Sequence, residues 1–322
     1  MKIAVIGYSQ TKFGEYWDKG LRDLISLAGN NVIKNANIEN KEINSIITAN
    51  SLASVINGQN EVNALCFEEL GIKSSISIGS GEAAGSLAIR QAALEILSGN
   101  SKIVMALGVE KITDVISSQI TSATSQVLDQ EWEVFNGATL ASMYAMLTRL
   151  YMKKFKLSLE QIAKVSVKNH KNAVKNKFAQ FQREIDVDAV LNGPIVASPL
   201  TLLNCAAPCD GAAAIILCEE SLAKKYAKEP VCLVGSGSGS DYLALHEREN
   251  LLEIKATKIA ADEAYKQAKI KSEDINLAEV HDSFSIAELL AVEDLGFCKK
   301  GSGIEFIEKN GNLNGKLPIN PS

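Results

Sequence analysis

Along the chain, short apolar runs bounded by Gly, Asn and Ser alternate with longer stretches whose apolar residues recur at helical spacing. The runs Ala4–Gly7, Ile43–Ala49 and Ile103–Gly108 predict strands, and Leu21–Asn35 and Ala83–Leu97 predict the helices between them. Such alternation predicts an α/β sheet covered by helices. A second block repeats the scheme: strand Val231–Gly235, helix Ala256–Lys269, strand Leu277–Val280, helix Ser285–Leu295. The repeat is visible at residue level. Ala36, Ile38, Ile43 and Asn44 recur, at one constant offset, as Ala268, Ile270, Ile275 and Asn276. Duplicated halves explain this. Between the copies, Asp114–Ile195 is richer in Lys, Gln, Asn and aromatics, with amphipathic helices predicted over Ala138–Phe155 and Leu159–Lys177; it reads as an insertion covering one mouth of the sheet. Ala212–Leu217 reads as a strand returning to the first half, and Glu219–Pro230 as a charged linker. The second copy reaches Leu317-Pro318-Ile319-Asn320-Pro321-Ser322 without the later helix and strand of the first. An open sheet edge and a helix-sized gap cost stability. The expectation is therefore that the natural protein is longer or that another element fills the place.

At 322 residues and 46% apolar content, the chain suits one large domain or two fused ones with a sizeable core. A net charge of -5 with no long basic run lacks the electrostatic footprint of a nucleic-acid or membrane-surface binder, leaving a small molecule or another protein as partner. Met1-Lys2 leads directly into the strand-like Ile3-Ala4-Val5-Ile6-Gly7, too short for a secretory signal, and no apolar run approaches the roughly 20 residues of a spanning helix. This predicts a cytoplasmic protein. Six scattered cysteines (66, 205, 209, 218, 232 and 298) read as reduced thiols.

Chemistry concentrates in two places. Glu82 sits in the small-residue turn Gly79-Ser80-Gly81-Glu82-Ala83-Ala84-Gly85-Ser86, at the start of the predicted helix. Unpaired amides and the helix dipole favour an anion there by roughly 0.3–1 kcal/mol, and a thiol would be acidified into a nucleophile. The alternative is a glutamate that only caps the helix. His281, in His281-Asp282-Ser283-Phe284-Ser285, follows a predicted strand at the lip of the sheet, where ligand sites form. It can donate to a developing oxyanion or hold a water for it, or else cap the next helix. The pair Cys205 and Cys209 lacks a second cysteine pair and a nearby histidine, so no metal is expected. The loop Gly235-Ser236-Gly237-Ser238-Gly239-Ser240-Asp241 follows a strand but has Ser240 where a dinucleotide fingerprint needs glycine. It reads as a loop at a pocket edge, with Ser236 and Ser238 as substrate-binding candidates. An NAD-dependent oxidoreductase would rest on this loop alone. His170 with Lys164, Lys168, Lys171 and Lys175 reads as a solvated helix face, or as a basic face meeting phosphates.

Several motifs stand in one order: Ile6-Gly7-Tyr8-Ser9-Gln10-Thr11-Lys12-Phe13-Gly14, Gly108-Val109-Glu110-Lys111, Asp210-Gly211-Ala212-Ala213-Ala214, the segment at His281, and Ile319-Asn320-Pro321-Ser322. Together they resemble the thiolase superfamily over the whole length, and within it the archaeal and sterol-carrier-protein-type thiolases. Counting back from Arg90 and the Ser98-Gly99 helix end puts Glu82 in the place of the family's acylated cysteine. The resemblance implies an α/β fold of five αβαβα layers built from two duplicated βαβαβαββ halves, the second incomplete here. The corresponding domains are residues 1–115 plus 196–220, a loop domain 116–195 covering the coenzyme A site, and 221–322. It further implies that His281 serves an oxyanion hole, that Phe284 lines the acyl pocket, and that Glu82 replaces the acylated cysteine. The family's Gly-His-Pro histidine and second cysteine have no counterpart in this sequence.

The implied activity is acyl transfer between coenzyme A thioesters, as in acetyl-CoA acetyltransferases of lipid metabolism and the mevalonate pathway, with the thioester as substrate and no other cofactor. The alternative is a non-catalytic acyl-CoA-binding or scaffolding subunit. The resemblance implies a homodimer or tetramer, with a hydroxymethylglutaryl-CoA synthase and a small zinc-ribbon and OB-fold protein as partners.

Overall fold

The computed structural model describes residues 3–79 and 81–322; Met1, Lys2 and Ser80 of the glycine turn lie outside the described residues. In chain order the elements begin β1 (Ile3–Gln10), α1 (Leu21–Ala36), β2 (Ser45–Ala49), α2 (Ala53–Ile56), α3 (Val62–Leu70), β3 (Ser74–Ile78), α4 (Ala84–Leu97) and β4 (Ile103–Glu110). There follow α5 (Ser117–Thr124), α6 (Leu140–Phe155), α7 (Leu159–Ala173), α8 (Val187–Leu191), β5 (Ile195–Ala197) and β6 (Leu200–Thr201). The last are β7 (Gly211–Glu219), α9 (Glu220–Tyr226), β8 (Val231–Leu233), α10 (Lys255–Ala268), α11 (Ser285–Asp294) and α12 (Gly303–Asn310). The chain divides into two compact units, Met1–Ala123 with Pro208–Ser236, and Thr124–Ala207 with Gly237–Ser322.

The first unit is built on a sheet of order β3-β2-β4-β7-β1-β8. Strand β2 pairs in parallel with β3 and β4, and β7 runs antiparallel to both β4 and β1. Strands β1 to β4 therefore point the same way, and their carboxyl ends share one edge of the sheet. One face is covered by Leu24, Ile25, Ala28 and Val32 of α1 with Leu65, Cys66 and Leu70 of α3. The other face, including Ile47, Val104, Ala106 and Leu217, takes Ala84, Ala88 and Ala92 of α4. Alanines four apart fall on one side of a helix and let it lie close to the strands.

The second unit is organised around α11. All of Ser285–Asp294 is buried: Ile286, Leu289, Leu290 and Val292 pack into the core, while Glu288, Glu293 and Asp294 meet polar partners from Lys168, Gly303 and Ile254. It packs against α6, α7, α10 and α12.

The duplicated segment has the same backbone in both copies. Helix α1 ends on a left-handed residue, Asn37 (φ 50°), and α10 on Lys269 (φ 59°). Ile38 N–H then returns to Ile33 O at 3.3 Å, and Ile270 N–H to Tyr265 O at 3.1 Å. A 3-10 turn follows in each, closed by Glu42 on the Glu39 N–H (3.2 Å) and by Asp274 on the Lys271 N–H (2.9 Å).

Two predicted strands behave differently. The run at Val231–Gly235, expected to open the second half, forms only at Val231–Leu233 and pairs antiparallel with Ile3–Val5 of β1 in the first unit's sheet. Helix α9 carries the chain past β1, so that β8 runs parallel to β7 and pairs with the otherwise unpaired side of β1. The run Leu277–Val280 is reduced to one bridge between Ala278 and Ile319. The segment 318–320 is its backbone partner, through Ala278 N–H to Pro318 O (3.0 Å) and Asn320 N–H to Ala278 O (2.8 Å), with Asn320 itself in the left-handed region (φ 48°).

The glycine loop has a packing explanation. A Cβ on Gly237 would lie 1.8 Å from Ala260 O, and one on Gly239 2.3 Å from Ala256 O. Ala256 and Ala260 stand one turn apart on α10, so loop backbone rests directly on helix backbone. Gly237→Ala is expected to lower the unfolding free energy by about 1–3 kcal/mol, the cost of overpacking a contact that can relieve itself only by moving main chain. A urea titration unchanged from that of the parent would contradict this.

Candidate functional site

In the second unit the His281 segment leads into α11, with Phe284 as the helix N-cap. Cys205 pairs with Phe284 in an isolated antiparallel bridge, and Ala206 N–H donates to Ser283 O at 2.8 Å. Phe284 is buried and stacks on Tyr144 of α6, ring centroids 4.4 Å apart. Tyr144 also lies 6.5 Å from the His281 ring. His281 itself is exposed, so the structure brings together an exposed imidazole and an aromatic wall. Beneath them Ser285 Oγ meets Ser166 Oγ at 2.9 Å and accepts from Asn204 Nδ2 at 3.2 Å.

This segment is held by a buried polar network. Glu288, on the inner side of α11, has Lys168 Nζ 3.0 Å from Oε1, and its Oε2 accepts from Asn169 Nδ2 (2.7 Å) and Asn320 Nδ2 (3.0 Å). Asn320 Oδ1 accepts the Val280 N–H at 2.7 Å, fixing the backbone one residue ahead of His281. Lys168 Nζ donates to Ile319 O (2.6 Å), and Asn172 Nδ2 to Asn320 O (2.8 Å). Asn169 Nδ2 also donates to Asp282 Oδ2 at 2.7 Å, coupling the loop to the same cluster. Burial raises the Glu288 carboxyl, against the pull of Lys168 and Asn169. The expectation of a solvated lysine face on α7 fails at Lys168, which is 5% exposed. Its partner, Glu288, is a distant residue that α7 alone does not reveal. The one local signal was a glutamate inside the otherwise apolar run Ile286-Ala287-Glu288-Leu289-Leu290.

In the first unit three of the motifs meet at Asp210. Its carboxylate accepts from Ile112 N (2.7 Å), Thr113 N (2.9 Å), Thr113 Oγ1 (2.6 Å), Tyr16 N (3.0 Å) and Lys111 Nζ (2.9 Å). Burial pushes this carboxyl up, but the donors outweigh it and the group stays below its ordinary range. Lys111, also fully buried, is bound by Asp114 as well. Neighbouring Gly211 leaves room for the Phe13 ring, which a Cβ would approach to 2.5 Å. At the same edge Glu110 ends β4 and binds the loop after β2. Glu82 follows Gly81 (φ 52°) and is exposed. Helix α4 begins at Ala84, with Ala83 as N-cap, so Glu82 stands one residue before the cap instead of at the helix start expected for it. Arg90 of α4 donates to Ser236 O (2.7 Å) and Ser236 Oγ (3.2 Å). In the second unit, Ser238 N–H donates to Glu263 Oε2 at 3.0 Å.

Burial pushes the thiols of Cys66, Cys205, Cys209 and Cys218 up to about 11, and that of Cys298 up to about 12. This favours the protonated thiol over the nucleophilic thiolate at neutral pH. Among the described residues, no group of three or more His, Cys, Asp and Glu could hold a metal ion, and no helix is long and apolar enough to cross a membrane.

The family model "Thiolase, N-terminal domain" matches residues 3–221, and "Thiolase C-terminal domain-like" matches residues 237–322. The chain belongs to the thiolase family. Acetyl-CoA acetyltransferase of Methanocaldococcus jannaschii is 44% identical to this thiolase-family chain over 303 residues, covering 93% of it and 77% of the relative. Acetyl-CoA acetyltransferase of Methanothermobacter thermautotrophicus is 42% identical over 323 residues, covering 99% and 84%. The solved structure of Ltp2-ChsH2(DUF35) aldolase shares the thiolase fold, with a TM-score of 0.86, 24% identity, and coverage of 99% of this chain and 84% of that one.

Proposed function

We propose that this protein binds acyl-CoA thioesters in the manner of a thiolase-type acyl-CoA C-acyltransferase, with Glu82 at the acyl-accepting position. In this reading His281 donates to the thioester carbonyl oxygen as negative charge develops there, and Phe284 with Tyr144 walls the acyl chain. The observation that carries it is the network ending in Asn320 and Glu288, which fixes the backbone beside an exposed histidine. A donor held in advance costs no reorganisation at the moment of reaction. Ser236 and Ser238 remain candidates for contacting the coenzyme. In assembly the protein is a cytoplasmic homodimer or tetramer, partnered by a hydroxymethylglutaryl-CoA synthase and a small zinc-ribbon and OB-fold protein, and serves the mevalonate branch of lipid metabolism.

Glu82 favours a second reading, an acyl-CoA-binding subunit without turnover of its own. A carboxylate that accepted an acyl group would form an anhydride instead of a thioester. Removing a nucleophile costs roughly 10² or more in rate. One pair of experiments separates the readings. Acetyl-CoA formed from acetoacetyl-CoA and free coenzyme A by the unmodified chain supports the first. Binding of acetyl-CoA without product supports the second. Glu82→Cys is expected to gain a stable acetyl adduct at position 82, seen by mass spectrometry. The introduced sulfur bonds to the acetyl carbon, the bond to the coenzyme A sulfur breaks, and the thiol proton leaves with coenzyme A. Failure to bind acetyl-CoA would overturn both readings, and an adduct on any native cysteine would overturn the assignment of position 82.

A further inference from the structure

The turn that presents residue 82 is held through a relay that starts at the end of β4. Ser51 Oγ donates to Gly81 O at 2.8 Å, and Asn50 N–H donates to Ile78 O at 3.1 Å, so the loop after β2 grips the turn on both sides. That loop is itself gripped by Glu110. Oε1 accepts the Ser51 N–H at 2.5 Å and the Leu52 N–H at 3.4 Å, and Oε2 accepts from Asn50 Nδ2 at 3.1 Å. Asn50 completes the knot, donating to Val109 O at 2.7 Å and accepting the Ala53 N–H at 3.0 Å through Oδ1. These partners of Glu110 are all neutral, so its carboxylate acts as a multiple acceptor for backbone donors and not as half of an ion pair. A carboxylate can satisfy several such donors at once, whereas a carboxamide brings one acceptor and turns N–H groups towards the others.

We propose that Glu110, acting through Ser51, is the positioning residue for position 82: it sets where the Gly81 carbonyl lies and therefore where the next side chain meets the acyl group. This rests on the reading of position 82 as the acyl-accepting place. Burial raises the Glu110 carboxyl against the opposing pull of these hydrogen bonds. Displacing a reacting atom by 1 Å can cost about 10²-fold in rate, whereas alkylation by a small reagent asks only for an accessible thiolate.

The test uses the full chain carrying Glu82→Cys, with Ser51→Ala, Glu110→Gln or Ser51→Thr added singly. Acetylation by acetyl-CoA is the thioester exchange written above; iodoacetamide alkylation at the same sulfur is measured in parallel. Ser51→Ala and Glu110→Gln are expected to slow acetylation about tenfold or more while alkylation stays within about twofold, and Ser51→Thr, which keeps the hydroxyl, should restore acetylation. Both rates falling together, or neither, would overturn the proposal. Hydrogen exchange in the otherwise unmodified chain supplies an arm independent of acyl transfer. Glu110→Gln should speed exchange over residues 81–87 about tenfold and leave residues 92–97 unchanged, as expected when a local tether is released. If exchange responds but Glu82→Cys takes no acetyl group, the tether stands and the acyl-accepting reading of position 82 falls. If exchange does not respond, the tether itself is refuted.

Discussion

Asp210→Ala is expected to destabilise the first unit by about 3–5 kcal/mol, because it leaves the fully buried Lys111 ammonium without its inner partner. Four further donors, from Tyr16, Ile112 and Thr113, lose the same acceptor. They belong to the segments leaving β1 and β4, so the loss falls on the sheet edge that also carries Glu110. Urea unfolding followed by far-UV circular dichroism checks this, and a loss below about 1 kcal/mol, the scale of an exposed pair, would show that the cluster is far wetter than described. Asp210→Asn should be milder, since it keeps one acceptor oxygen for the Thr113 and Ile112 amides.

Lys168→Met carries a comparable expected loss in the second unit, about 3–5 kcal/mol at pH 8, with a pH dependence of definite sign. Glu288 is raised by burial above its ordinary 4.5, and Lys168 is the cation opposing that rise. Between 4.5 and its folded pKa, the folded chain holds a proton that the unfolded chain has released. Stability therefore falls as pH rises through that window and is fully present below it. Without Lys168 the window extends upward, so the variant should regain part of its loss on going from pH 8 to about pH 5. Adding Glu288→Gln should flatten the profile and recover stability at pH 8. Equal losses at both pH values would mean that the carboxyl is not titrating in a buried place.

Strongly periodic stretches are legible in the sequence: the predicted helix at Leu21–Asn35 forms at Leu21–Ala36, and Ala256–Lys269 at Lys255–Ala268. The returning strand at Ala212–Leu217 was also found, lengthened to Gly211–Glu219. Strand β3 was not, because Ser-Ser-Ile-Ser-Ile carries few apolar positions and is paired on one side only, at the sheet edge. The failures at Val231–Gly235 and Leu277–Val280 have a different origin. Both runs have strand character, but a strand needs a partner, and which backbone lies alongside is a tertiary fact. The site divides in the same way. His281 and Phe284 are visible as a motif, whereas Lys168, Asn169 and Asn320 gain meaning only when helix α7 and the segment 318–320 converge on Glu288.

Helices α1 and α10 end in the same kind of corner. A left-handed residue suits asparagine and strains lysine, yet both occupy that place, Asn37 in one copy and Lys269 in the other. The two copies thus share the main-chain geometry without sharing the side chain. The pair of corners provides an internal yardstick: positions in one half can be matched to the other by counting from the reversal, even where no amino acid is held in common.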